Sequence, residues 1–503
     1  MPLTDMLVAA CAAHSNRTAV TDDGTDYTYA QLARASARIA SALIDRGASP
    51  GDAIGLLAPR GWWRCVAVLG IWRAGAAVVA LDPALPPERL ARIAVGSGAA
   101  LVLRDGAVPS VGTGPHAPWA EITVQDLHRT ADDGPRPTLT GPVAYAVATS
   151  GSTGVPKCVA VPPVVLEDLA AWHLDTWDRP ETPRTTHTAS VGFDVGFQEL
   201  VTTWSAGGTL VVVDDKARRD PFLLAALLAD QAVVRAFLPV TSLHALAVAV
   251  PVTGHRLTAL REIVVSGERL VVNEEVRALF ADLDATLVNQ YGPSETHVVT
   301  EHRLTRPPAQ WPVHPPLGGP AARAELLRRT DGVLAPFTEG DEAELVVAGR
   351  CLAAGYLGDE RLTADRFREL PYTGGDRRRG YLTGDLVRME GGLLHFVGRI
   401  DDQLKVRGYR VEPGEIEAVL AAVPGVRQAA VIGRGEDRTT ALDAYVVPDP
   451  DRPVDTAVLR AACAAALPDY MMPARFVSVA ELPLTANGKV ARRELGNLGT
   501  GRG

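Results

Sequence analysis

The segment from Thr149 to Lys157 has the composition of a loop that binds phosphate. Its sequence is Thr-Ser-Gly-Ser-Thr-Gly-Val-Pro-Lys. Glycine lets backbone N–H groups approach an anion closely, while the hydroxyls and the lysine supply donors and charge for phosphate oxygens. The apolar residues 143–148 predict a buried strand before the loop, and α/β sheets bind ligands at strand ends. Pro156 stands where a Walker A loop has its second glycine, so this would be a different phosphate loop, and a polar surface turn is the competing interpretation.

The whole chain has the composition of an ordinary globular protein. Its 503 residues are too many for one hydrophobic core and predict at least two domains. Hydrophobic residues make up 47% of the chain and charged residues 22%, which is typical of water-soluble proteins. The net charge of -9 argues against a nucleic acid or an anionic membrane as the main partner.

Cysteine usage and the N-terminal residues predict a cytoplasmic protein. The first residues lack the basic and then apolar pattern of a signal peptide, and no apolar run is long enough to span a bilayer. The five cysteines are scattered and include no Cys-x-x-Cys pair, which favours reduced thiols. The histidines show no metal-ligand spacing, so we expect no structural metal.

Elements that could hold the loop alternate along the chain. Strand-like and helix-like segments follow one another over residues 27–400, which predicts a layered α/β fold. The hydrophobic spacing predicts helices at 27–46 and 62–74, among others. Residues 105–142 are rich in Pro, Gly, Thr and Asp and predict a surface excursion.

The pattern changes near residue 400. The following segments predict a helix from Glu415, strands at 428–432 and 441–447, and a helix at 456–466. About 100 residues with a β-α-β-β-α pattern can bury a small core of their own. We therefore predict an N-terminal domain at 1–400 and a C-terminal domain at 401–503, joined by a short hinge.

Several motifs together carry a resemblance to a known family. Besides the phosphate loop they are Thr28-Tyr-Ala-Gln-Leu32, Arg73-Ala-Gly-Ala-Ala-Val-Val-Ala-Leu-Asp-Pro83, Phe193-Asp194, Asn289-Gln-Tyr-Gly-Pro-Ser-Glu-Thr296, Tyr381-Leu-Thr-Gly-Asp385, Gly398-Arg-Ile-Asp-Asp-Gln-Leu-Lys-Val-Arg-Gly-Tyr-Arg-Val-Glu412, Leu467-Pro-Asp-Tyr-Met-Met-Pro473 and Asn487-Gly-Lys489. With these motifs in this order, from Tyr27 to Arg493, the chain resembles the adenylate-forming family. That family includes the adenylation domains of non-ribosomal peptide synthetases, acyl-CoA synthetases and luciferase-like enzymes. The resemblance implies a large adenylate-forming domain of layered α/β subdomains and a small, mobile C-terminal α+β domain.

The resemblance implies an ATP-dependent, AMP-forming ligase that uses Mg²⁺. The ATP- and AMP-binding residues would be Ser150, Gly151, Ser152, Thr153, Gly154, Lys157, Gln290, Tyr291, Gly292, Ser294, Asp385 and Arg399. The catalytic residues would be Lys489, Glu295, Thr149 and Lys405. Glu295 would bind the metal, a hard cation that prefers carboxylate oxygen, and Asp401 would be the hinge.

The substrate pocket implied by the resemblance is small and mostly apolar. It comprises Asp194, Val195, Gln198, Phe237, Val264, Ser266, Gln290, Val298, Val299 and Lys489. In the family the position of Asp194 pairs with the α-ammonium of an amino acid, and an unpaired carboxylate in this apolar stretch would be costly. The pocket is similar to that of proline-activating domains, although Val264, Ser266 and Gln290 depart from their usual residues. L-proline is therefore the predicted substrate, with a ring-substituted proline, valine or alanine as alternatives.

The chain has no Gly-Gly-x-Ser carrier motif and no condensation domain. It resembles stand-alone L-proline:peptidyl-carrier-protein ligases, which implies transfer to the phosphopantetheine thiol of a discrete carrier protein. By analogy the pathway would form a pyrrole-type natural product or antibiotic. The alternatives are a D-alanine:carrier ligase, an acyl-CoA synthetase, and a catalytically inactive nucleotide-binding scaffold.

Overall fold

A computed structural model of the chain describes residues 1–110, 119–130, 140–151, 156–180, 182–401, 403–406, 409–435, 441–450, 452–483 and 490–498. The chain separates into two compact units. The first comprises Met1–Pro83, Ala94–Val147 and Cys158–Ile400, and the second comprises Ala84–Ile93, Ala148–Lys157 and Asp401–Gly503. The predicted fold class, a large region of layered α/β structure and a small α+β region, is confirmed.

The helices and strands of the described residues alternate for most of the chain. The helices are α1 (Leu3–Ala13), α2 (Tyr29–Asp45), α3 (Trp62–Arg73), α4 (Pro87–Gly96), α5 (Val124–Thr130), α6 (Pro163–Thr176), α7 (Asp194–Trp204), α8 (Asp215–Arg219), α9 (Pro221–Asp230), α10 (Val240–Thr253), α11 (Glu274–Ala281), α12 (Glu360–Arg366), α13 (Pro413–Ala421), α14 (Thr456–Ala466) and α15 (Arg492–Leu498). The strands are β1 (Thr18–Asp22), β2 (Thr25–Thr28), β3 (Ala53–Leu57), β4 (Ala77–Leu81), β5 (Leu101–Arg104), β6 (Ala120–Thr123), β7 (Tyr145–Thr149), β8 (Lys157–Val161), β9 (Arg184–His187), β10 (Thr209–Val212), β11 (Arg235–Leu238), β12 (Glu262–Val265), β13 (Thr286–Tyr291), β14 (Thr300–Leu304), β15 (Gly319–Pro320), β16 (Ala324–Thr330), β17 (Val333–Pro336), β18 (Glu342–Gly349), β19 (Gly355–Tyr356), β20 (Phe367–Pro371), β21 (Arg377–Glu390), β22 (Leu393–Arg399), β23 (Leu404–Val406), β24 (Tyr409–Val411), β25 (Val426–Arg434), β26 (Ala441–Pro448) and β27 (Arg475–Ser478).

The strands of the described residues join into sheets of different size. The largest has the order β15-β14-β13-β12-β11-β9-β10-β1-β2, and the second has the order β19-β8-β7-β4-β3-β5-β6. In the largest sheet, β11, β12 and β13 pair in parallel, and β14 returns antiparallel to β13. A third sheet has the order β17-β16-β18-β21-β20 with β22 on β21, and β25-β26-β27 and β23-β24 form small sheets.

Helix α2 shows why the predicted elements form. The Thr28 hydroxyl accepts a hydrogen bond from the Gln31 N–H at 3.2 Å, and the Gln31 side chain accepts one from the Thr28 N–H at 2.7 Å. This capping box satisfies two N–H groups that a helix start leaves free. Leu32, Ile39 and Leu43 then recur at helical spacing and are fully buried, so the helix packs its apolar face into the core.

The prediction of a surface excursion at 105–142 is wrong in part. Residues 120–123 form β6, which pairs in parallel with β5 at the edge of the second sheet, and α5 follows directly. Leu127 of α5 is fully buried. An edge strand with only one neighbour carries a weak hydrophobic pattern, which hid this element in a Pro- and Gly-rich context. None of the helices in the described ranges is long and apolar enough to cross a membrane.

The second unit has a hydrophobic core of its own. Residues of α13, α14 and the strands beside them contribute Val411, Ile416, Leu459 and Cys463, each at most 4% exposed. Helix α14 spans the residues that the sequence predicted. A core of this kind is what a small α+β unit needs for independent stability.

Gly70 of α3 packs tightly against α2. A Cβ at Gly70 would lie 2.6 Å from the Cβ of Ile39, a buried and β-branched side chain that cannot move freely. We expect Gly70→Ala to lower the free energy of unfolding by about 1–3 kcal/mol through overpacking. The measurement is thermal and denaturant unfolding. Gly96→Ala in α4, where a Cβ would meet nothing within 4 Å, is the matched control and should be neutral or stabilising; equal effects of both variants would contradict the packing argument.

Candidate functional site

The described part of the phosphate loop lies in the second unit. Thr149 ends β7, and its hydroxyl is buried without a hydrogen-bond partner among the described residues. The Ser150 hydroxyl donates to the Arg410 carbonyl at 2.8 Å and accepts from the Glu412 N–H at 3.1 Å. An orphaned buried hydroxyl at a strand end fits a position where a ligand oxygen binds.

A carboxylate of the same unit contacts the loop. The Gly151 N–H donates to Glu415 Oε2 at 3.2 Å, and Arg89 forms an ion pair with the other oxygen of that carboxylate. Both charged side chains are at most 2% exposed. The loop therefore already offers a backbone N–H to an anionic oxygen, which is the chemistry that phosphate binding needs.

Several predicted residues lie outside the described residues. They are Ser152, Thr153, Gly154 and Lys489, together with the side chain of Lys405. Lys157 is described, begins β8 and is buried.

In the first unit the structure brings Tyr291, Asp385 and Arg399 together. The Tyr291 hydroxyl and the Arg399 guanidinium each donate to the Asp385 carboxylate, and Arg399 also donates to the Thr383 carbonyl at 3.1 Å. Burial and the neighbouring Asp385 charge raise the pKa of the Tyr291 hydroxyl well above its ordinary value. Asp385 is buried, and it is held beside Arg399 because the two residues are register partners on β21 and β22. A fixed, buried carboxylate of this kind can accept hydrogen bonds from hydroxyl groups.

Glu295 lies on the turn that follows β13, after Gly292 and Ser294. It is fully buried, and the Tyr356 hydroxyl donates to its Oε1 at 2.7 Å. The residues described contain no cluster of three or more metal-ligating side chains. A single carboxylate fits Mg²⁺, which binds through one or two carboxylates together with water and phosphate oxygens.

Asp194 is half-buried and is the first residue of α7. Its carboxylate accepts from the Val195 N–H at 2.8 Å, and an acid in the first turn is favourably placed in the helix dipole. The loop before it is anchored by Glu199, which accepts from the Thr188 N–H at 3.0 Å and from the Ala189 N–H at 3.1 Å. Glu199, in the second turn of α7, thus fixes the loop that precedes the helix.

The anchor belongs to a fully buried polar cluster. His187 Nδ1 lies 2.7 Å from Glu199 Oε2, and Arg64 Nη2 lies 2.6 Å from His187 Nε2. Burial lowers the pKa of His187 well below its ordinary value and raises the pKa of Glu199 to about 8, against two backbone hydrogen bonds and the Arg64 charge, which lower it. The Ser190 hydroxyl, on the same loop, donates to Asp82.

The apolar wall of the predicted pocket is formed in the largest sheet. Phe237, Val264 and Val288 form one buried cluster, and Val195 packs against it. The parallel register pairs Phe237 with Val264 and Val264 with Val288, so that the three side chains share one face. Three predicted pocket residues are therefore in contact, and Val288 is a member that the sequence analysis missed.

The two pocket glutamines meet directly. Gln198 Nε2 donates to Gln290 Oε1 at 2.9 Å, and both residues are at most 2% exposed. Val298 and Val299 lie in the main core beside Tyr291, whereas Ser266 is half-buried just after β12.

His173, Glu301 and Tyr356 were not predicted from the sequence. His173 contacts Gln198 and Glu301 contacts Gln290, both at 2.9 Å. Glu301 faces Gln290 because β14 pairs with β13, a register that alternating residues after the turn could have indicated. His173 stands alone on the apolar face of α6 and gave no signal.

Gly292 allows the turn after β13 to close. A Cβ at Gly292 would lie 1.6 Å from the carbonyl oxygen of His297, a backbone atom that cannot give way. We expect Gly292→Ala to open the turn that carries Tyr291 and Glu295, and to weaken ATP binding at least tenfold, on the order of the effect of losing one charged hydrogen bond. Isothermal titration with ATP is the measurement. Gly319→Ala, where a Cβ meets nothing within 4 Å, is the control, and the same affinity in both variants would contradict the prediction.

Comparisons with known proteins identify the family of the chain. Residues 7–357 match the family described as AMP-binding enzyme, and residues 415–489 match the AMP-binding enzyme C-terminal domain. Surfactin synthase subunit 1 of Bacillus subtilis is 36% identical over 499 residues, covering 96% of this chain and 13% of that protein. A probable non-canonical nonribosomal peptide synthetase, CymA of Salinispora arenicola, is 38% identical over 97% of this chain and 6% of its own length. The chain thus spans a small part of these relatives.

Solved structures share the fold. PA1221, described as an NRPS protein containing adenylation and PCP domains, aligns with a TM-score of 0.84 at 26% identity, over 99% of this chain and 84% of that chain. The o-succinylbenzoate CoA synthetase of Bacillus subtilis aligns with a TM-score of 0.84 at 22% identity, over 99% of this chain and 98% of that chain. The motifs, the buried acids Glu295 and Asp385, and the match over 7–357 lead to one conclusion: the chain belongs to the AMP-binding enzyme family, the adenylate-forming ligases that its motifs resemble.

Proposed function

We propose that this protein activates L-proline with ATP and transfers the prolyl group to a carrier protein. The observation that carries the proposal is the half-buried Asp194 at the start of α7, whose neighbour in sequence, Val195, packs against the small apolar cluster of Phe237, Val264 and Val288. A carboxylate there can pair with the ammonium of an amino acid, and the apolar wall suits a compact side chain.

In the first step the amino acid carboxylate attacks the α-phosphorus of ATP. The new P–O bond forms as the bond to the β-phosphate oxygen breaks, and pyrophosphate leaves. Such a reaction depends on positioning and on charge neutralisation. Lys489 would neutralise the charge on the carboxylate and the α-phosphate.

Nucleotide binding would use the residues described above. The loop from Thr149 to Gly154, with Lys157, would hold the β- and γ-phosphates, and Asp385 would accept the ribose hydroxyls beside Arg399. Tyr291 would stack on the adenine, whereas its hydroxyl bonds Asp385 in the structure. Mg²⁺ would neutralise phosphate charge and would be held by Glu295.

The pocket would select by size and polarity. Val195, Phe237 and Val264 leave an apolar surface, and Gln198 and Gln290 supply paired amides at its base. A charged side chain would find no opposite charge among these five residues, and its burial would be costly. Ser266, Val298 and Val299 would complete the lining.

In the second step a phosphopantetheine thiol attacks the acyl carbon. The C–S bond forms, AMP leaves, and the thiol proton is released. PA1221 supports a carrier protein as the partner by analogy, because its description names a PCP domain. We assign the first step to a domain at 1–400 and assign Lys489 and Lys405 to a domain at 401–503, with Asp401 as the hinge and Lys405 in the thiolation step. We place the reaction in natural-product biosynthesis in the cytoplasm, where the five buried free cysteines would stay reduced.

The first experiment is amino-acid-dependent exchange of labelled pyrophosphate into ATP, with all common amino acids, D-alanine and hydroxyproline. L-proline should give the strongest signal, and Lys489→Ala should abolish it. A signal for another amino acid would keep the chemistry and reject proline. No signal with any of them would reject amino acid activation by the isolated chain and favour the inactive scaffold or an acyl-CoA synthetase.

Asp194→Ala should raise the KM for proline on the order of 100-fold, because the ammonium loses its charged partner. The KM for ATP and the melting temperature should change little, since Asp194 is not in the core. Asp230→Ala, at an exposed position ending α9, is the control. An unchanged KM for proline would show that Asp194 does not bind the ammonium.

A further inference from the structure

Hydrogen bonds connect the two glutamines of the predicted pocket to further buried side chains. We call this series the hydrogen-bond chain. Gln198 Nε2 lies 2.9 Å from His173 Nε2 and donates to Gln290 Oε1 at the same distance. Gln290 Nε2 in turn donates to Glu301 Oε2 at 2.9 Å. Arg303 ends the chain, with Nη1 lying 3.4 Å from Glu301 Oε1 and Nη2 donating to Glu262 at 2.8 Å.

The Glu301 carboxylate sets the direction in which hydrogen bonds are donated along this hydrogen-bond chain. Burial raises the pKa of Glu301, and the hydrogen bond from Gln290 and the Arg303 charge oppose this by favouring the ionised carboxylate. Arg303 can only donate, and ionised Glu301 can only accept, so Gln290 must present its NH₂ to Glu301. Its carbonyl oxygen then faces Gln198, which must present its own NH₂. That NH₂ also meets His173 Nε2, which accepts, so the ring proton lies on Nδ1. Burial lowers the pKa of His173 well below its ordinary value, and the neutral ring can act as this acceptor.

With this direction of donation, the amide oxygen of Gln198 is not used as an acceptor within the hydrogen-bond chain. Gln198 Oε1 is buried and has no hydrogen-bond partner among the described residues. An unpaired buried acceptor costs free energy, which a bound molecule can recover by donating to it. Gln198 belongs to the predicted pocket, so in the proposed function this oxygen would be a polar group of that pocket.

We propose that Glu301 is a positioning residue that determines the polarity of the substrate pocket. Acting through Gln290, it orients Gln198 so that a hydrogen-bond acceptor, and not a donor, faces the bound amino acid. Glu301 does not touch the substrate in this arrangement. The inference deepens the proposed function and rests on it for the identity of the amino acid, but the direction of the chain is a property of the free protein.

The substitution Glu301→Gln should reverse the chain. Arg303 can only donate, so it would draw the amide oxygen of the new side chain and turn its NH₂ toward Gln290. Gln290 and Gln198 would then both flip, and His173 would donate from Nε2 to the Gln198 oxygen. The NH₂ of Gln198 would replace its oxygen in the pocket.

Two readouts test this reversal. The first is the ¹⁵N spectrum of histidine-labelled protein, in which His173 is assigned among the 11 histidines by its loss in His173→Asn. Its proton should lie on Nδ1 in the wild type and on Nε2 in Glu301→Gln. The second is pyrophosphate exchange with L-proline and with 4-oxo-L-proline, whose ring carbonyl can only accept. The wild type should disfavour the oxo compound, and Glu301→Gln should raise its kcat/KM relative to proline on the order of tenfold, through KM and not kcat.

Glu342→Gln is the matched control, because this carboxylate pairs with Arg388 at the surface. It should change neither readout. Glu301→Gln with the wild-type His173 tautomer and an unchanged substrate ratio would overturn the inference. If the wild type exchanges no proline compound, the proposed substrate fails, while the tautomer still decides the direction of the chain.

If Glu301→Gln does not fold, Gln290→Met severs the same chain with a side chain of similar volume. The His173 resonances should then lose the single Nδ1 tautomer. A wild-type tautomer in Gln290→Met would overturn the inference, since Glu301 could not then be acting through Gln290.

Discussion

The apolar wall of the predicted pocket depends on the register of three parallel strands. Phe237 on β11, Val264 on β12 and Val288 on β13 lie side by side because each strand pairs with the next at those positions. A shift of one residue in any of these strands would turn its side chain to the opposite face of the sheet. Burial of both faces of the sheet fixes the register, since Ile263 and Leu287 fill a second core cluster on the other side. The shape of the site is therefore a consequence of the core.

The same pairing brings polar groups together beside the apolar cluster. Arg235 and Glu262 are register partners on β11 and β12, and Glu301 on β14 faces Gln290 on β13. Arg303 contacts Glu301 on its own strand, β14, and Glu262 on β12, which lies two strands away across β13. Burial raises the pKa of Glu301, against Gln290 and Arg303, which lower it. These groups share a small region because backbone pairing places them there.

Much of this could be predicted from the sequence, for physical reasons that differ between elements. Helix α14 follows from local periodicity, and Val195, Phe237 and Val264 follow from motifs at fixed distances from them. Glu301 required the register of a hairpin, and His173 required the packing of α6 against α7. Neither is local in the sequence. Strand β6 was missed because its place in the sheet is decided by one neighbouring strand and not by its own composition.

The polar cluster of Arg64, His187 and Glu199 raises the question of what buried charge contributes. Burying a charge costs several kcal/mol per ion, and this cost is reflected in the pKa of Glu199, which burial raises to about 8. Apolar replacements for buried pairs are often neutral or stabilising. Stability alone therefore does not explain these side chains. Glu199 accepts two backbone N–H groups of the loop that leads to Asp194, and an apolar residue could not do so. The polar cluster lowers stability but fixes the loop before α7. The hydrogen-bond chain that includes Gln198 likewise lowers stability but fixes the orientation of an amide. In both places a buried acid fixes the geometry of its neighbours, the backbone of Thr188 and Ala189 in one case and the amide of Gln290 in the other.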